Sequence, residues 1–257
     1  MRRAERPHIS RCPPPRGLRL RTRAAAGFTL LELAVVMAVI GLVAAISMGA
    51  FGSAFDGRQA VTASAIGQDI DGALLTFARE HHRLPCPDST GNAREGDAGG
   101  ACPPALEIGY VPYESLGLQA PAATARAVYA VYRNAALHAD LVVPAVGTPT
   151  RVDLQRALVA AAAAGIDANH PFMTGDGAAT GAEDCAGNRV LHPAYAVIVP
   201  ALDRDGDGRT LDGVDASLPA SGTCLASSTR ASSAMFDDRV VFTGFTTLLG
   251  LISRAAP

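Results

Sequence analysis

Alternating carboxylates run through Asp203-Arg204-Asp205-Gly206-Asp207-Gly208-Arg209-Thr210-Leu211-Asp212-Gly213-Val214-Asp215, and hard oxygen donors at this spacing suit calcium. Asp203, Asp205 and Asp207 fall at positions one, three and five of an EF-hand-like loop, with Gly208 at six and the Arg209 carbonyl at seven. The twelfth position is Val214 and not Glu, so Asp212 or Asp215 must stand in for the missing bidentate ligand. The competing reading is a solvated Asp/Gly turn between strands. Asp237-Asp238, just ahead of a strand, reads as a turn or as an aid to the same cation.

A second carboxylate sits where a charge is expensive. Glu32 opens an apolar run, Leu33 to Phe55, that holds no charged residue, and a carboxylate in hydrocarbon costs about 2.5–3.5 kcal/mol at mid-depth unless it finds a partner. The stretch before it, Met1 to Gly27, holds eight Arg and one Glu. Between the two lies Gly27-Phe28-Thr29-Leu30-Leu31-Glu32, which reads as a processing site. An ordinary secretory signal puts its apolar core before the cut; here it follows, so cleavage after Gly27 leaves an anchor on the mature chain. The cut also creates a cationic amine at Phe28, which adds to the positive end of the helix dipole and favours a nearby carboxylate.

This junction resembles that of type IV pilins and of the pseudopilins of type II secretion, whose precursors share a Gly, then Phe-Thr-Leu-Leu-Glu, then about twenty apolar residues. The resemblance implies that a prepilin peptidase cuts after Gly27 and N-methylates Phe28. It also implies that Glu32 serves assembly by meeting the Phe28 amine of a neighbouring subunit. The segments Phe77 to Pro87 and Gly109 to Leu118 look like those of pilin-like proteins, where the first ends the long helix and the second leads toward the sheet. The implied partners are the prepilin peptidase, other pilin or pseudopilin subunits, an inner-membrane assembly platform and membrane lipid. The competing function is a membrane-anchored periplasmic binding module that does not polymerise.

Composition narrows the class. The chain has 257 residues and net charge −2; the leader carries +7 from eight Arg against one Glu, so its removal leaves −9. An acidic body without Lys argues against binding the nucleic acid backbone. Cys12 lies in the leader, and Cys86, Cys102, Cys185 and Cys224 remain, an even number suited to an oxidising compartment. Of the three pairings, the local ones, Cys86 with Cys102 and Cys185 with Cys224, each close a Gly- and Asp-rich loop and would contribute roughly 3 kcal/mol or more. A zinc site lacks any Cys-x-x-Cys pair. No enzyme is expected. Gly175 to Gly181 lacks the Lys of a phosphate loop, His81 and His82 follow a helix end, and His138, His170 and His192 are scattered.

The elements that must position these groups follow from periodicity. Phe28 to Phe55, 28 residues, is long enough to span about 30 Å of hydrocarbon, with the Arg-rich leader kept cytoplasmic and the bulk of the chain periplasmic. Ile66, Ile70, Leu74 and Phe77 continue one helical stripe to about Glu80, where Pro85 and Pro87 stop it, and Gly52, Gly67 and Gly72 invite a bend. Strands are expected at Ala127–Tyr132, Ala194–Leu202 and Arg239–Thr243, with an Ala-rich helix at Val152–Ala164, loop up to Asn188, and a short helix at Phe245–Arg254. The expected domains are a leader, 1–27, a membrane half-helix, 28–55, and a periplasmic head, 56–257. The expected fold is α+β and pilin-like, a long N-terminal helix packed on a small antiparallel sheet. The expected setting is the bacterial inner membrane, crossed once, and a periplasmic or surface filament after assembly.

Overall fold

A computed structural model describes residues 29–143, 147–176, 181–204, 206–233 and 235–254, without the side chains of 46–57. The leader, Gly27, Phe28 and Asp205 lie outside the described residues. Two compact units divide at Phe51 and Gly52.

The long helix, α1, runs Leu30–His81 over 52 residues without interruption, so none of its glycines breaks it. It stops at His82, whose φ of 54° is left-handed, before Pro85 is reached. The expected membrane half is only partly described. Side chains are described for Thr29 to Ala45, 17 residues, fewer than the roughly 20 a crossing needs. Among the described residues no helix is long and apolar enough to cross a membrane.

The second unit is built on an antiparallel four-stranded sheet. Its strands are β1 (Ile108–Tyr110), β2 (Val128–Val131), β7 (Tyr195–Val199) and β9 (Arg239–Thr243), in the order β1-β2-β7-β9. Successive side chains point to opposite faces of a strand. Tyr129, Val131, Tyr195, Val197 and Val199 join α1 through Ile70, Leu74 and Ala78 in one core. Val128, Ala130, Ala196 and Ile198 face a second core with Met173, Leu218, Leu225 and Phe236. Both faces are covered, which is why β2 and β7 read as unbroken apolar runs and not as an alternation.

The covering layers come from the segment expected to be a helix followed by loop. Helix α2 (Arg151–Ala163) is set by a capping box in which Thr150 accepts from the Asp153 backbone and Asp153 from that of Thr150. After it the expected loop contains a strand, β5 (Phe172–Thr174), which pairs antiparallel with β6 (Arg189–Leu191) and parallel with β8 (Cys224–Leu225). These strands are short and draw their partners from distant segments, so no local pattern announces them. Disulfides join Cys86 to Cys102 and Cys185 to Cys224, the local pairs. A small hairpin, β3 (Arg133–Asn134) with β4 (Ala139–Asp140), and the closing helix α3 (Phe245–Ser253) complete the unit.

Helix α1 lies against the sheet at Gly67, where a Cβ would come 2.8 Å from Val241 Cγ2 and 3.6 Å from Val199 Cγ2. One turn on, Asp71 Oδ1 accepts the Tyr195 hydroxyl at 2.7 Å and that of Thr243 at 3.3 Å. Gly72 faces open space, and a Cβ there would meet no atom within 4 Å. Gly72→Ala is therefore expected to stabilise by up to about 1 kcal/mol through helix propensity. Gly67→Ala carries the same propensity gain but meets a stiff β-branched side chain, an overpacking cost of roughly 1–3 kcal/mol, and should be neutral to destabilising. Thermal unfolding of the two variants checks this; equal stabilisation by both would contradict the close approach at Gly67.

Candidate functional site

Two places carry chemistry, the start of α1 and an acidic cluster ahead of β9. At the first, Thr29 caps the helix: its Oγ1 accepts the Glu32 backbone N–H at 3.2 Å and its carbonyl that of Leu33 at 3.1 Å. Glu32 is in the first turn, where a negative charge complements the helix dipole. Beyond it the apolar side chains have little cover among the described residues. Leu30, Leu31, Met37 and Leu42 are each 63% or more exposed. Ten large apolar side chains between Leu30 and Val43 are exposed, where scattered single ones would need no explanation.

The second place is assembled from two loops. Asp212, Asp237 and Asp238 each present a carboxylate oxygen within 4.8 Å of the others, and Asp212 and Asp238 are buried. The two loops are knitted together by their own backbones. Asp238 Oδ2 accepts the Asp212 N–H at 2.7 Å, and Asp212 Oδ2 accepts the Asp237 N–H at 3.2 Å. Asp237 is held on the other side by the Arg204 guanidinium at 2.6 Å and by the Leu202 N–H at 3.1 Å. Asp238 Oδ1 is buried and has no hydrogen-bond partner among the described residues. A cleft between α1 and the strand-leading loop, lined by Ala60, Ser64 and Arg239, reaches Asp237 and Asp238.

The Asp-rich loop itself is arranged differently from the EF-hand-like expectation. Asp203 closes its own turn, accepting the Gly206 and Gly208 N–H groups at 2.7 and 3.0 Å, and Asp207 accepts that of Arg209 at 2.8 Å. Arg209 reaches the Ala216 carbonyl with its side chain. Asp212 is the member of the set that the fold brings to other carboxylates, and its partners Asp237 and Asp238 lie 25 and 26 residues on. Asp205 lies outside the described residues.

The remaining titratable groups of interest have structural partners. Asp88, fully buried, accepts five donors from Thr90, Gly91, Asn92 and Ala93 and holds a tight loop. His170 faces Glu107 at 2.7 Å, and burial raises the Glu107 carboxyl above its ordinary value. His192 is locked between the Pro171 carbonyl and the Asp167 N–H. Nothing in the sequence pattern marked Asp88 or Glu107; Asp88 is placed by a loop that bridges to Tyr110 of β1, and Glu107 immediately precedes β1 and accepts the Arg133 N–H.

Residues 22–48 match the sequence family described as the prokaryotic N-terminal methylation motif. The chain carries the type IV pilin and pseudopilin signature. The motif supports a type IV pilin-like protein processed as a prepilin, with processing by prepilin peptidase and assembly with other pilin subunits as its implication. It spans Gly27, Phe28 and Glu32, and the capped start of α1 falls inside it. The match does not extend over the head. No curated protein and no solved structure matches the chain.

The acidic cluster has a consequence for pH. Burial first, then repulsion from Asp215, Asp212 and Asp237, pushes the Asp238 carboxyl up to about 8, and burial pushes Asp215 up to about 7. Both folded values lie above the unfolded value of 3.8, so the folded state binds the proton more tightly. Stability contributed by these groups is fully present below about pH 4 and declines as pH rises toward 7–8. In metal-free buffer Asp238→Asn should be more stable than the parent at pH 8, by on the order of a few kcal/mol, with the gap closing by pH 4. Denaturant unfolding of both proteins across that range reads the gap; a gap independent of pH would contradict the burial of an ionisable Asp238.

Proposed function

We propose that this chain is a pilin-like structural subunit, a pseudopilin or minor pilin, that assembles into a type II secretion pseudopilus or a type IV pilus. The observation that carries the reading is the junction Gly27 to Glu32 inside the methylation motif, followed by a helix whose apolar side chains from Leu30 to Val43 are exposed among the described residues. The protein is made as a precursor, crosses the inner membrane once through 28–55 with its leader cytoplasmic, and holds its head in the periplasm. Two disulfides in the head accord with an oxidising compartment. Its work is assembly and not catalysis. Neighbouring α1 helices supply the apolar cover, and the Phe28 amine of one subunit neutralises Glu32 of the next, setting the axial register.

The intact mass of the membrane form should show loss of residues 1–27 and gain of one methyl group. Glu32→Ala should leave that processing mass unchanged while abolishing crosslinking of subunits into filaments. Full crosslinking and complementation by the Glu32→Ala protein would refute assembly through this pair and favour the non-polymerising anchored module.

Asp212, Asp237 and Asp238 are the residues on which the head would hold a calcium ion. The donor set fits: all three are hard carboxylate oxygens, and the orphaned Asp238 Oδ1 is the kind of buried acceptor a cation would satisfy. A bound cation would offset the repulsion among three carboxylates that one nearby guanidinium, Arg204, only partly offsets. Calcium should raise the thermal midpoint of chelator-treated protein, and Asp238→Asn should abolish the increase. An increase that survives in Asp238→Asn would place calcium elsewhere, and no increase in the parent would remove it.

A further inference from the structure

The end of α1, strand β4 and the first turns of α2 wall a cleft of about 500 Å³, within the range of about 300–1,000 Å³ common for small-molecule sites. Its floor is apolar, with Leu141, Leu154 and Ala157 buried. Two histidines open onto it, His82 after the last turn of α1 and His138 at the cap of the turn Ala135–Leu137.

Both histidines have φ of 54°, in the left-handed region. Helix and turn ends of this kind are normally given to Gly, because a Cβ there costs about 1–2 kcal/mol. This chain uses Gly at nine other positive-φ positions among the described residues; besides Ala93, the non-Gly exceptions are these two histidines. Neither imidazole is held by a hydrogen bond or ion pair among the described residues, so no polar contact within the chain accounts for the choice. Strained residues that gather at one cleft are a mark of ligand clamps.

The rest of the wall defines what such a ligand must offer. Asp140 is engaged by Arg133 and by the Val142 and Val143 N–H groups, Asp153 by Thr150, and Arg83 by Glu95. Arg156, also on the wall, makes no ion pair or hydrogen bond among the described residues and interacts with the Asp153 carboxylate only at longer range. The acidic groups are thus occupied, and the groups with unused capacity are a guanidinium and two imidazoles, all N–H donors. Donors above an apolar floor call for an anionic head on a short apolar body. The apolar floor offers burial to a hydrocarbon body, which free phosphate lacks, and so favours a monocarboxylate over phosphate.

We propose that this cleft binds a small organic monocarboxylate, its carboxylate held by His82, His138 and Arg156 and its apolar body laid on Leu141 and Leu154. The proposal goes beyond the assembly reading and does not depend on it. The probe is hexanoate, titrated into the purified full-length protein at pH 6.5, with calorimetry for affinity and the imidazole resonances of His82 and His138 for location. Saturable binding in the millimolar range or tighter that shifts both imidazole resonances is the expected result. His82→Gly with His138→Gly should weaken binding about tenfold or more while leaving the thermal midpoint unchanged or higher, because Gly suits both backbone positions. Arg156→Ala should weaken binding in the same direction on a helix position that Ala favours. Absence of saturation, equal affinity in the variants, or binding of inorganic phosphate with hexanoate silent would overturn the assignment.

Discussion

Helix α1 meets the sheet at Gly67 and Asp71, and the arrangement of the head depends on that contact. A bare backbone at 67 lets Val241 and Val199 approach closely, and the Asp71 carboxylate joins β7 and β9 through the Tyr195 and Thr243 hydroxyls. The half-buried carboxylate accepts both hydroxyls, so the helix cannot slide along the sheet without losing those bonds. Burial raises the Tyr195 hydroxyl well above its ordinary value, which keeps it a donor. With α1 covering one face of β7, the other face must also be covered, and the long excursion between β2 and β9 does so with β5, β8 and Phe236.

That second layer decides where the acidic cluster stands. Asp237 and Asp238 immediately precede β9, whose register on β7 runs from Tyr195 opposite Thr243 to Val199 opposite Arg239. Asp212 arrives from the far-face layer, one residue after Leu211 enters its core. The head therefore contains two kinds of buried aspartate. Asp88 is saturated by donors from its own loop and is a structural device. Asp238 keeps an oxygen without a donor in a neighbourhood of like charge, an arrangement that raises its proton affinity and suits a cation equally well.

Legibility in the sequence follows the range over which each feature is encoded. The helices and the three longest sheet strands sit where periodicity and apolar runs place them: α1 ends within two residues of expectation, and β9 spans Arg239–Thr243 as expected. Strands β1, β5, β6 and β8 have two or three residues each, and two of them pair with segments that follow them by 18 or more residues, so no short window contains their reason to exist. The alternating carboxylates of 203–209 drew attention to calcium, but in the fold Asp203 and Asp207 serve their own turns. Asp212 is the carboxylate of that loop that the fold brings to Asp237 and Asp238.

The Gly27 to Glu32 junction is a linear signal, legible without a fold because the methylation motif and a helix cap both consist of adjacent residues. The apolar stripe of α1 and the all-apolar strands were determined in the same local way, by period and run length. Only the tertiary structure could bring Asp212 to Asp237 and Asp238, or set His82 and His138 on one cleft, since these meetings follow from strand register and turn geometry. Convergence of distant side chains is a property of packing, and a pattern of neighbours along the chain does not contain it.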